Sequence, residues 1–574
     1  MQLTAKSKSG IFTFLFFTVF LFLGLSITSD YGVTWDEDIQ RKHGIISMKY
    51  VYDTFGKGFL DFSDVCVYDD NKECVYDLNL YPEEPLLDYE FRFYGTLFQS
   101  VALVIEAFTG CEHYWERTLL RHWMVFFLFF LASIAFYSIL NRIFGNRYVA
   151  VLGTLCFILS PRLFANSFFN VKDSVNLSLY TLAIASCIRF FDRPTVNSAV
   201  LYALLTALAV NVRITAMILP ILTFFWMLVY YISSPEKKVF IKLWKRATLV
   251  YFLLIPLFVY LFWPLLWQDP IQSFLDAYAT MKKYPWGGSV LLFNQNLVAS
   301  NLPWYYIPSW MLITIPLLYW FFFLQGSISK LIEFFRKSLK GKLDWFLNRE
   351  DRIFIILLSF CVAPILAVIV MKSTLYNGWR QMHFVYTPFL LVSFMSAYWF
   401  WKEKILPKGS VYVSAFCVLI VFSLAYTAGS MIKNHPHQNV YFNALGKYNN
   451  FTRFELDYWG ASYKRGFEKV ADLVKDKDRV YTFKPENYPG YANERYVRGE
   501  FPDLFKPVWG KNGSYDFFIT NFKSPSLRSQ YLNKEGIFEN EVLIIYSQNT
   551  PILGVFARTK EKLELFNLEK AKIK

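Results

Sequence analysis

The amino-acid sequence predicts a polytopic α-helical membrane protein, with about eleven transmembrane helices followed by a small α+β domain. Three observations lead to this prediction. The chain of 574 residues is 55% apolar and 20% aromatic, and its mean hydropathy is +0.28. Apolar runs of about membrane length recur as far as residue 431. Beyond that residue the apolar runs are short and separated by polar turns, which indicates a domain outside the membrane.

The net charge of +14 at first suggests an anionic partner such as nucleic acid. However, the lysines and arginines concentrate in short linkers between apolar runs. Cytoplasmic loops of membrane proteins have this pattern, because basic residues are retained on the inner side. We therefore exclude nucleic-acid binding.

The first apolar run extends from Gly10 to Ile27 and follows Lys6 and Lys8. It is longer than the apolar core of a signal peptide, and no convincing small-x-small cleavage site accompanies it. We therefore predict an uncleaved first transmembrane helix and a cytoplasmic N-terminus.

Ten further apolar runs predict the remaining transmembrane helices. Their approximate bounds are 117–141, 147–164, 174–191, 197–211, 214–232, 247–266, 304–324, 353–371, 383–401 and 410–431. If every run crosses, the segments on the side of the N-terminus hold 21 lysines and arginines, whereas the short segments on the other side hold six. The positive-inside rule then places the N-terminus in the cytoplasm.

This topology assigns five polar segments to the outer side of the membrane. They are a large loop at 29–116, a short turn at Lys172 and Asp173, two loops at 267–303 and 372–382, and the tail from residue 432. Within the first loop, Tyr94 to Phe108 is apolar, but Arg92 precedes it and Glu106 lies near its end. A crossing there would invert every later loop, so we predict a helix lying in the membrane interface.

The tail predicts a small extracytoplasmic α+β domain over residues 432–574, which leaves residues 1–431 as the transmembrane domain. A helical pattern covers Ala461 to Lys475. Strand-like runs follow at Arg479–Phe483, Tyr515–Thr520, Val542–Tyr546 and Leu553–Arg558. The last two runs flank a turn of Gln548, Asn549 and Thr550, as in a hairpin.

Seven cysteines show no spacing typical of a metal site or a redox motif. Four of them lie within apolar runs, where a thiol behaves as a small apolar side chain. Cys66 and Cys74 share the first outer loop, and a bridge between them requires that the loop face an oxidising compartment. The sequence leaves open whether the two are bridged.

Three consecutive acidic residues, Asp36, Glu37 and Asp38, follow the first predicted span. One explanation is structural, because Thr34 and Glu37 have the spacing of a capping box that starts a helix. The other explanation is functional, because further charged residues gather on the same predicted side of the membrane. Both explanations stay open.

Three other outward segments carry unusual polar groups. Lys172 and Asp173 form a turn at the predicted membrane boundary, where Asp173 also suits a helix cap. Arg213 lies between two apolar runs with almost no polar loop, so it needs either an anionic partner or a route to the interface. The loop before the tenth span adds Tyr376, Trp379, Arg380 and His383.

Together these groups suit a phosphorylated lipid that carries a sugar. Arginine binds phosphate through two parallel hydrogen bonds, and aromatic faces suit sugar rings. A carboxylate near the phosphate can accept the proton of an attacking hydroxyl, which is general-base chemistry. Acidic groups beside a phosphate can also hold a divalent cation, although no spacing of a dedicated metal site is present. We therefore assign no cofactor.

Several motifs resemble the bacterial branch of the C-type glycosyltransferases. The first outer loop opens with TWDE, the second outer turn reads NVKDS, and YNGWRQMHFVYTP leads into a late span. The tail begins with HPHQNVYFN and continues with FELDYWG. The match is strongest to the family related to dolichyl-phosphate-mannose protein mannosyltransferases, and weaker to lipid A aminoarabinose transferases.

This resemblance implies an inverting glycosyltransferase at the outer face of the plasma membrane. Its donor would be a polyprenyl-phosphate sugar, and its acceptor a protein, a lipid or a glycan. Asp36 resembles the catalytic base, Glu37 its acidic companion, and Asp173 the second acidic residue of the site. The eukaryotic mannosyltransferases carry an inserted lumenal domain that this chain lacks, so the acceptor stays open.

The resemblance also implies which residues contact the donor and the substrate. Arg213 and Arg380 would bind the donor phosphate, with Lys172 and His383 as further candidates. Tyr376 and Trp379 would contact the substrate.

Two functions of other classes stay open from the sequence. A transporter or flippase for a lipid-linked sugar would also bind an anionic lipid through arginines, although transporters normally place such groups near the bilayer midplane. A scaffold that holds cell-envelope partners through its tail would leave the loop acids without a role.

Overall fold

The computed structural model describes residues 5–56, 85–339, 344–508, 514–523 and 539–571, and the backbone of two short strands at 68–69 and 72–74. Short 3₁₀ helices and turns join its α-helices. The α-helices are α1 Ala5–Ile27, α2 Trp35–Phe55, α3 Leu97–Thr109, α4 Tyr114–Phe144, α5 Arg147–Ile158, α6 Pro161–Phe169, α7 Asp173–Asp192, α8 Val196–Val210, α9 Ile218–Ser233, α10 Lys237–Phe262, α11 Pro270–Lys282, α12 Tyr306–Thr314, α13 Leu317–Leu339, α14 Arg349–Val370, α15 Tyr386–Phe400, α16 Ser410–Lys433, α17 Asn450–Arg453, α18 Ser462–Leu473, α19 Tyr488–Val497 and α20 Leu568–Ala571.

Within the described ranges, eight helical segments are long and apolar enough to span a membrane. They are Ser9–Asp30, Tyr114–Phe144, Asp173–Asp192, Ile214–Ser233, Lys237–Phe262, Arg349–Val370, Arg380–Lys408 and Ser410–Lys433. The pair α5 and α6 makes a ninth if it is one span, bent by 72°. The bend falls where Pro161 starts α6, because proline fits the first turn of a helix and not its interior. The chain is therefore a multi-pass membrane protein.

Two of the eleven predicted spans do not meet this criterion, so the predicted number of about eleven is not established. Helix α8 has 15 residues, about 22 Å of helix, whereas a bilayer core is about 30 Å thick. The predicted span at 304–324 is divided into α12 and α13, with Ile315 and Pro316 between them. Proline has no backbone N–H to donate to the preceding turn, so α12 cannot continue through Pro316 into α13 without losing a hydrogen bond.

The helices are enclosed to very different degrees. In α7, the side chains of Leu177, Tyr180 and Cys187 are fully buried. Helices α1 and α16 lie at the periphery and expose large apolar side chains, among them Phe22 and Phe422. Such outward apolar surface is expected where the solvent is lipid.

Helix α3 covers the segment predicted to lie in the membrane interface. It has 13 residues and is therefore too short to cross a bilayer alone. Its buried Glu106 pairs with Arg41 at 3.0 Å and with Arg121, which ties α3 to α2 and α4. Its depth in a membrane stays a prediction.

The strands form two hairpins and one larger sheet. Their bounds are β1 Tyr68–Asp69, β2 Lys72–Cys74, β3 Ser289–Leu292, β4 Gln295–Val298, β5 Tyr481–Pro485, β6 Phe505–Pro507, β7 Phe517–Thr520, β8 Glu541–Ser547 and β9 Thr550–Ala557. The C-terminal sheet has the order β6-β5-β7-β9-β8, with β5 parallel to β6 and β7 and the other pairs antiparallel. Helix α18 packs on it through Phe467.

The C-terminal α+β region is thus present, with its helix and four strands close to their predicted positions. The β8–β9 turn has positive φ at Gln548 and Asn549, as a tight hairpin requires. Strand β6 was not predicted, because Lys506 and Pro507 do not belong to a strand-like run. The domain boundary at residue 432 stays a prediction, as does the pairing of Cys66 with Cys74, whose side chains lie outside the described residues.

The segments predicted to face outward meet at one end of the helical bundle. The α2 start contacts the tail through the Trp35 N–H, which donates to the Trp459 carbonyl at 3.3 Å. The loops at 267–303 and 372–382 meet where the Leu375 N–H donates to the Ala299 carbonyl. Segments predicted to face inward meet at the opposite end, where Arg349 pairs with Asp192 at 2.7 Å. Which end faces the cytoplasm stays a prediction.

Candidate active site

Asp36 is positioned by the start of α2. Thr34 is the N-cap residue, and its side chain and backbone bond with Glu37 in the capping box that the sequence suggested. Asp36 lies in the first helical turn, and its side chain is 24% exposed. Its carboxylate is therefore free to face the loop that carries Arg380.

Asp173 is positioned by the tight turn that starts α7. The Asn170 side-chain oxygen accepts hydrogen bonds from the N–H groups of Lys172 and Asp173, at 3.3 and 2.7 Å. The Asn170 amide in turn donates to the Asp173 carboxylate at 3.3 Å. The Asp173 side chain is 1% exposed, so this carboxylate is buried with its partners.

Arg380 bridges the two acidic residues. Its Nη1 donates to Asp36 Oδ2 at 2.7 Å and to Asp173 Oδ2 at 3.3 Å. The guanidinium lies between two aromatic rings, 4.9 Å from the centre of Tyr376 and 4.5 Å from that of Trp459. Stacking of this kind is favourable for a guanidinium, most of all where water is excluded.

Two further cations border the pair of acids. Arg213 donates from Nη2 to Asp173 Oδ1, and its side chain is 12% exposed. The Lys172 ammonium lies 3.0 Å from the centre of the Tyr94 ring. Of the two possibilities that the sequence left open for Arg213, the structure shows an anionic partner, which is Asp173.

The charges of this cluster set its protonation. Burial by itself would raise the pKa of Asp36, but the positive charges of Arg380 and Lys172 outweigh it and hold the pKa below its ordinary value. Burial lowers the pKa of Lys172 well below its ordinary value, and Arg213 adds to this effect. Asp36 is consequently ionised at neutral pH, and an additional anion would stabilise the protonated form of Lys172.

Glu37 is not part of this cluster. One carboxylate oxygen accepts from the Thr34 N–H and hydroxyl at 2.7 and 2.9 Å, and the other lies 2.9 Å from His122 Nε2. The side chain is buried. These contacts favour the structural explanation for Glu37 that the sequence left open, and its predicted role as acidic companion stays untested.

The remaining predicted residues lie beside Arg380 in different settings. Tyr376 is partly exposed, and its ring centre lies 4.6 Å from that of Trp286, so the Tyr376 ring borders the cluster. Trp379 is 2% exposed, and its indole N–H donates to Thr314 at 2.9 Å. His383 is buried against Trp379, with ring centres 4.8 Å apart. The geometry suits substrate contact by Tyr376 better than by Trp379.

The sequence did not single out several residues that complete the cluster. Trp459 covers Arg380, and its indole N–H donates to Asn166 at 3.0 Å. Lys523 lies over the ring of Trp35, 4.2 Å from its centre. The FELDYWG motif contained the signal for Trp459, whereas nothing in the sequence around Lys523 indicates its position.

The cluster contains buried hydrogen-bond donors that the protein does not use. Within the described part of the chain, Nε of Arg213 and Nε of Arg380 have no partner. Buried N–H groups are almost always bonded, so each of these is a candidate contact for a ligand oxygen. The arrangement combines an ionised carboxylate with two guanidinium groups. The carboxylate can accept a proton, and the guanidinium groups can bind anionic oxygens.

Among the residues that the structure describes, no group of three or more His, Cys, Asp or Glu side chains is arranged to hold a metal ion. Asp36 and Asp173 are both bonded to arginine. A divalent cation at this place would have to compete with these ion pairs.

Comparison with known proteins gives similarity to solved structures only. No protein-family model matches the chain, and neither does any curated protein. The oligosaccharyltransferase AglB from Archaeoglobus fulgidus, in complex with an inhibitory peptide and a dolichol-phosphate, aligns at 10% identity over 92% of this chain and 74% of that chain, with a TM-score of 0.46. ArnT from Cupriavidus metallidurans, bound to undecaprenyl phosphate, aligns at 11% identity over 94% of this chain and 97% of that chain, with a TM-score of 0.42. The arabinofuranosyltransferase AftD from Mycobacteria aligns at 10% identity over 92% of this chain and 40% of that chain, with a TM-score of 0.38. These values are too low to assign the chain to a family.

Proposed function

We propose that the protein is a C-type glycosyltransferase that moves a sugar from a polyprenyl-phosphate donor to an acceptor. One observation carries this proposal: Asp36, Asp173, Arg213 and Arg380 form one ion-paired cluster at an end of the membrane helices, in which Asp173 and Arg380 are buried. The motifs that resemble this superfamily contribute Asp36, Asp173 and Arg380. An ionised carboxylate next to two partly unsatisfied guanidinium groups is suited to a reaction that releases a phosphate.

The proposed reaction is a single displacement at the anomeric carbon of the donor sugar. The acceptor hydroxyl forms the new C–O bond while the C–O bond to the lipid phosphate breaks. Asp36 accepts the proton of the hydroxyl, and the electron pair of the broken bond stays on the phosphate. Because attack comes from the face opposite the leaving group, the sugar is transferred with inversion.

Arg380 and Arg213 stabilise the leaving phosphate as its negative charge grows. Each has an unused Nε–H in the cluster, so neither must give up a carboxylate to bind a phosphate oxygen. Lys172 adds a third cation, whose protonated form the phosphate would favour. Asp173 orients the two arginines, and Glu37 maintains the start of α2 beneath Asp36.

The proposed place of the reaction is the outer face of the plasma membrane. The linkers predicted to face the cytoplasm carry most of the basic residues, and the cluster lies at the other end of the bundle. A labelling experiment with single cysteines in the 372–382 loop, using a membrane-impermeant reagent on intact cells, tests this orientation. Labelling only after the cells are broken would contradict it.

A transfer assay tests the activity. The protein in lipid is incubated with radiolabelled polyprenyl-phosphate hexoses and a membrane extract as acceptor. We expect label to leave the donor with the wild-type chain, and Asp36→Asn to reduce the rate by about 100- to 10,000-fold because it removes the general base. The substitution is nearly isosteric, so a change in folding is not expected.

Two outcomes would contradict this proposal. Full activity of Asp36→Asn would remove Asp36 as the base. Movement of intact donor between leaflets, without release of sugar, would instead support a transporter of lipid-linked sugars.

A further inference from the structure

Trp459, in the C-terminal tail, contacts three separate parts of the cluster. Its ring covers the Arg380 guanidinium at 4.5 Å. Its indole N–H donates to Asn166 in α6 at 3.0 Å, and its carbonyl accepts from the Trp35 N–H next to Asp36. One tail residue thus contacts the element that carries the proposed base, the bridging arginine, and the helix that precedes the second acid.

The contact with Asn166 leads directly to Asp173. The Asn166 side-chain oxygen accepts from Trp459 and also from the Asn170 amide, each at 3.0 Å. Asn170 then bonds the Asp173 carboxylate and N–H. Trp459 therefore joins the Asp173 turn from one side and stacks on Arg380 from the other.

The turn that carries Trp459 is itself firmly held. Asp457 accepts from the Ser462 N–H at 2.8 Å and from the Asn439 amide at 2.9 Å. Gly460 has a φ of +76°, and a Cβ atom there would lie 2.5 Å from Pro489. This backbone conformation and this close approach both require glycine.

We propose that Trp459 is a positioning residue, which fixes the guanidinium of Arg380 between Asp36 and Asp173. The inference rests on the proposed function. The Trp459 side chain is 2% exposed, so it acts through Arg380 and not by touching the substrate. The tail is consequently a part of the active site, and not only a domain attached to it.

The physical reason is the plane of the guanidinium. Tyr376 and Trp459 stack on Arg380 and hold that plane, so that Nη1 reaches both carboxylates while Nε stays available for a phosphate oxygen. Without the indole ring, the guanidinium can rotate and approach one carboxylate only. Phosphate binding then weakens although every charged residue is still present.

The test compares matched substitutions at two buried tryptophans. Trp459→Phe keeps a ring over Arg380 and loses the bond to Asn166, whereas Trp459→Leu loses both. Trp310→Phe and Trp310→Leu are the controls, since Trp310 is fully buried and packs against Phe442 and Phe454 of the tail. We expect Trp459→Leu to raise the donor KM about tenfold and Trp459→Phe about threefold, with the acceptor KM unchanged.

A purely structural role would lower the amount of folded protein and leave the donor KM of the folded fraction unchanged. Equal donor KM values in the Trp459 and Trp310 variants would therefore overturn the inference. Asn166→Ala combined with Trp459→Phe should raise the donor KM little more than Asn166→Ala alone, because both substitutions remove the same bond.

A structure of Trp459→Leu tests the inference without any donor. We expect Arg380 to move away from at least one of the two carboxylates. Unchanged contacts to Asp36 and Asp173 would overturn the positioning role even if transfer were confirmed. Absence of transfer in the wild-type chain, together with a displaced Arg380 in the variant, would instead contradict the proposed function alone.

Discussion

The two ends of the helical bundle both contain arginine–aspartate pairs, but their settings differ. At one end, Arg349 and Asp192 form two parallel bonds at 2.8 and 2.7 Å, and the Arg349 side chain is 36% exposed. At the other end, Arg380 is 4% exposed and is shared between two carboxylates. The first pair ties two helices together, and its removal leaves groups that solvent can reach. The second holds charges where solvent cannot replace a lost partner, so it is the end at which substitutions should matter.

The largest difference in stability and in transfer activity is expected between the variants Asp173→Asn and Asp192→Asn. Asp173→Asn leaves Arg213 without its counter-charge and leaves Arg380 with Asp36 alone, which costs about 3 to 5 kcal/mol of stability and abolishes transfer. Asp192→Asn loses a partly exposed pair worth about 1 kcal/mol or less. Thermal unfolding in lipid nanodiscs and the transfer assay measure both. Similar losses in the two variants would show that burial does not distinguish the two ends.

The second effect concerns donor binding. Arg380→Gln should raise the donor KM about 10- to 100-fold, because the proposed partner of the donor phosphate loses its charge. Arg380→Lys keeps the charge but not the planar stacking, so we expect an intermediate value. Arg349→Gln at the other end is the control and should leave the donor KM unchanged. A normal donor KM in Arg380→Gln would exclude this arginine from phosphate binding.

The third effect is a shift in pH dependence. Burial by itself would raise the pKa of Asp36, but the charges of Arg380 and Lys172 outweigh burial and hold this pKa below its ordinary value of about 3.9. The proposed base therefore stays ionised to below that pH. Loss of kcat/KM on acidification should therefore occur below that pH in the wild-type chain. In Arg380→Gln the raising effect of burial prevails, and the loss of residual activity moves to higher pH.

Arg380→Lys is the control for this measurement, because it retains the charge that lowers the pKa of Asp36. The fall of kcat/KM on acidification (the acidic limb of the pH profile) should occur at nearly the same pH in Arg380→Lys as in the wild-type chain. Coincident acidic limbs in all three proteins would mean that Asp36 is not the group whose ionisation limits the rate.

The smallest effect is expected for Glu37, which is adjacent to Asp36 in sequence. Glu37→Ala removes the capping box and the contact with His122, so it should cost about 1 to 2 kcal/mol of stability. The rate of transfer per folded molecule should change far less than in Asp36→Asn. A loss of rate as large as that of Asp36→Asn, with normal thermal stability, would favour the catalytic role that the sequence implied for Glu37.

The helical part of the fold was predictable because lipid imposes a simple length rule. Eight of the predicted spans are single apolar helices, and a ninth is the bent pair α5 and α6. The bend at Ser160 and Pro161 and the shortness of α8 were not predicted, although Pro161 carried a local signal for the bend. A single sequence does not show which helix packs beside another.

For the candidate site, the sequence identified charged groups and missed the groups that hold them. The sequence singled out Asp36, Asp173, Arg213 and Arg380 because a charged side chain beside an apolar run is costly unless it has a partner or a function. The FELDYWG motif included Trp459 but indicated no role for it, and nothing indicated Asn166, because tryptophan and asparagine are common at membrane boundaries and helix ends. Their bond joins residues 293 positions apart, and no local pattern encodes it.

The distance along the chain between the members of the cluster determines when it can form during synthesis. Arg380 is 344 residues beyond Asp36, and Trp459 follows later still. At roughly 5 to 20 residues per second, ribosomes need about 20 to 70 s to add the residues between Asp36 and Arg380. Through that interval Asp36 is present without Arg380, whereas Arg213 follows Asp173 after only 40 residues. A truncated product that ends after the last span would possess Asp36, Lys172, Asp173, Arg213 and Arg380 but would lack the indole ring that covers Arg380.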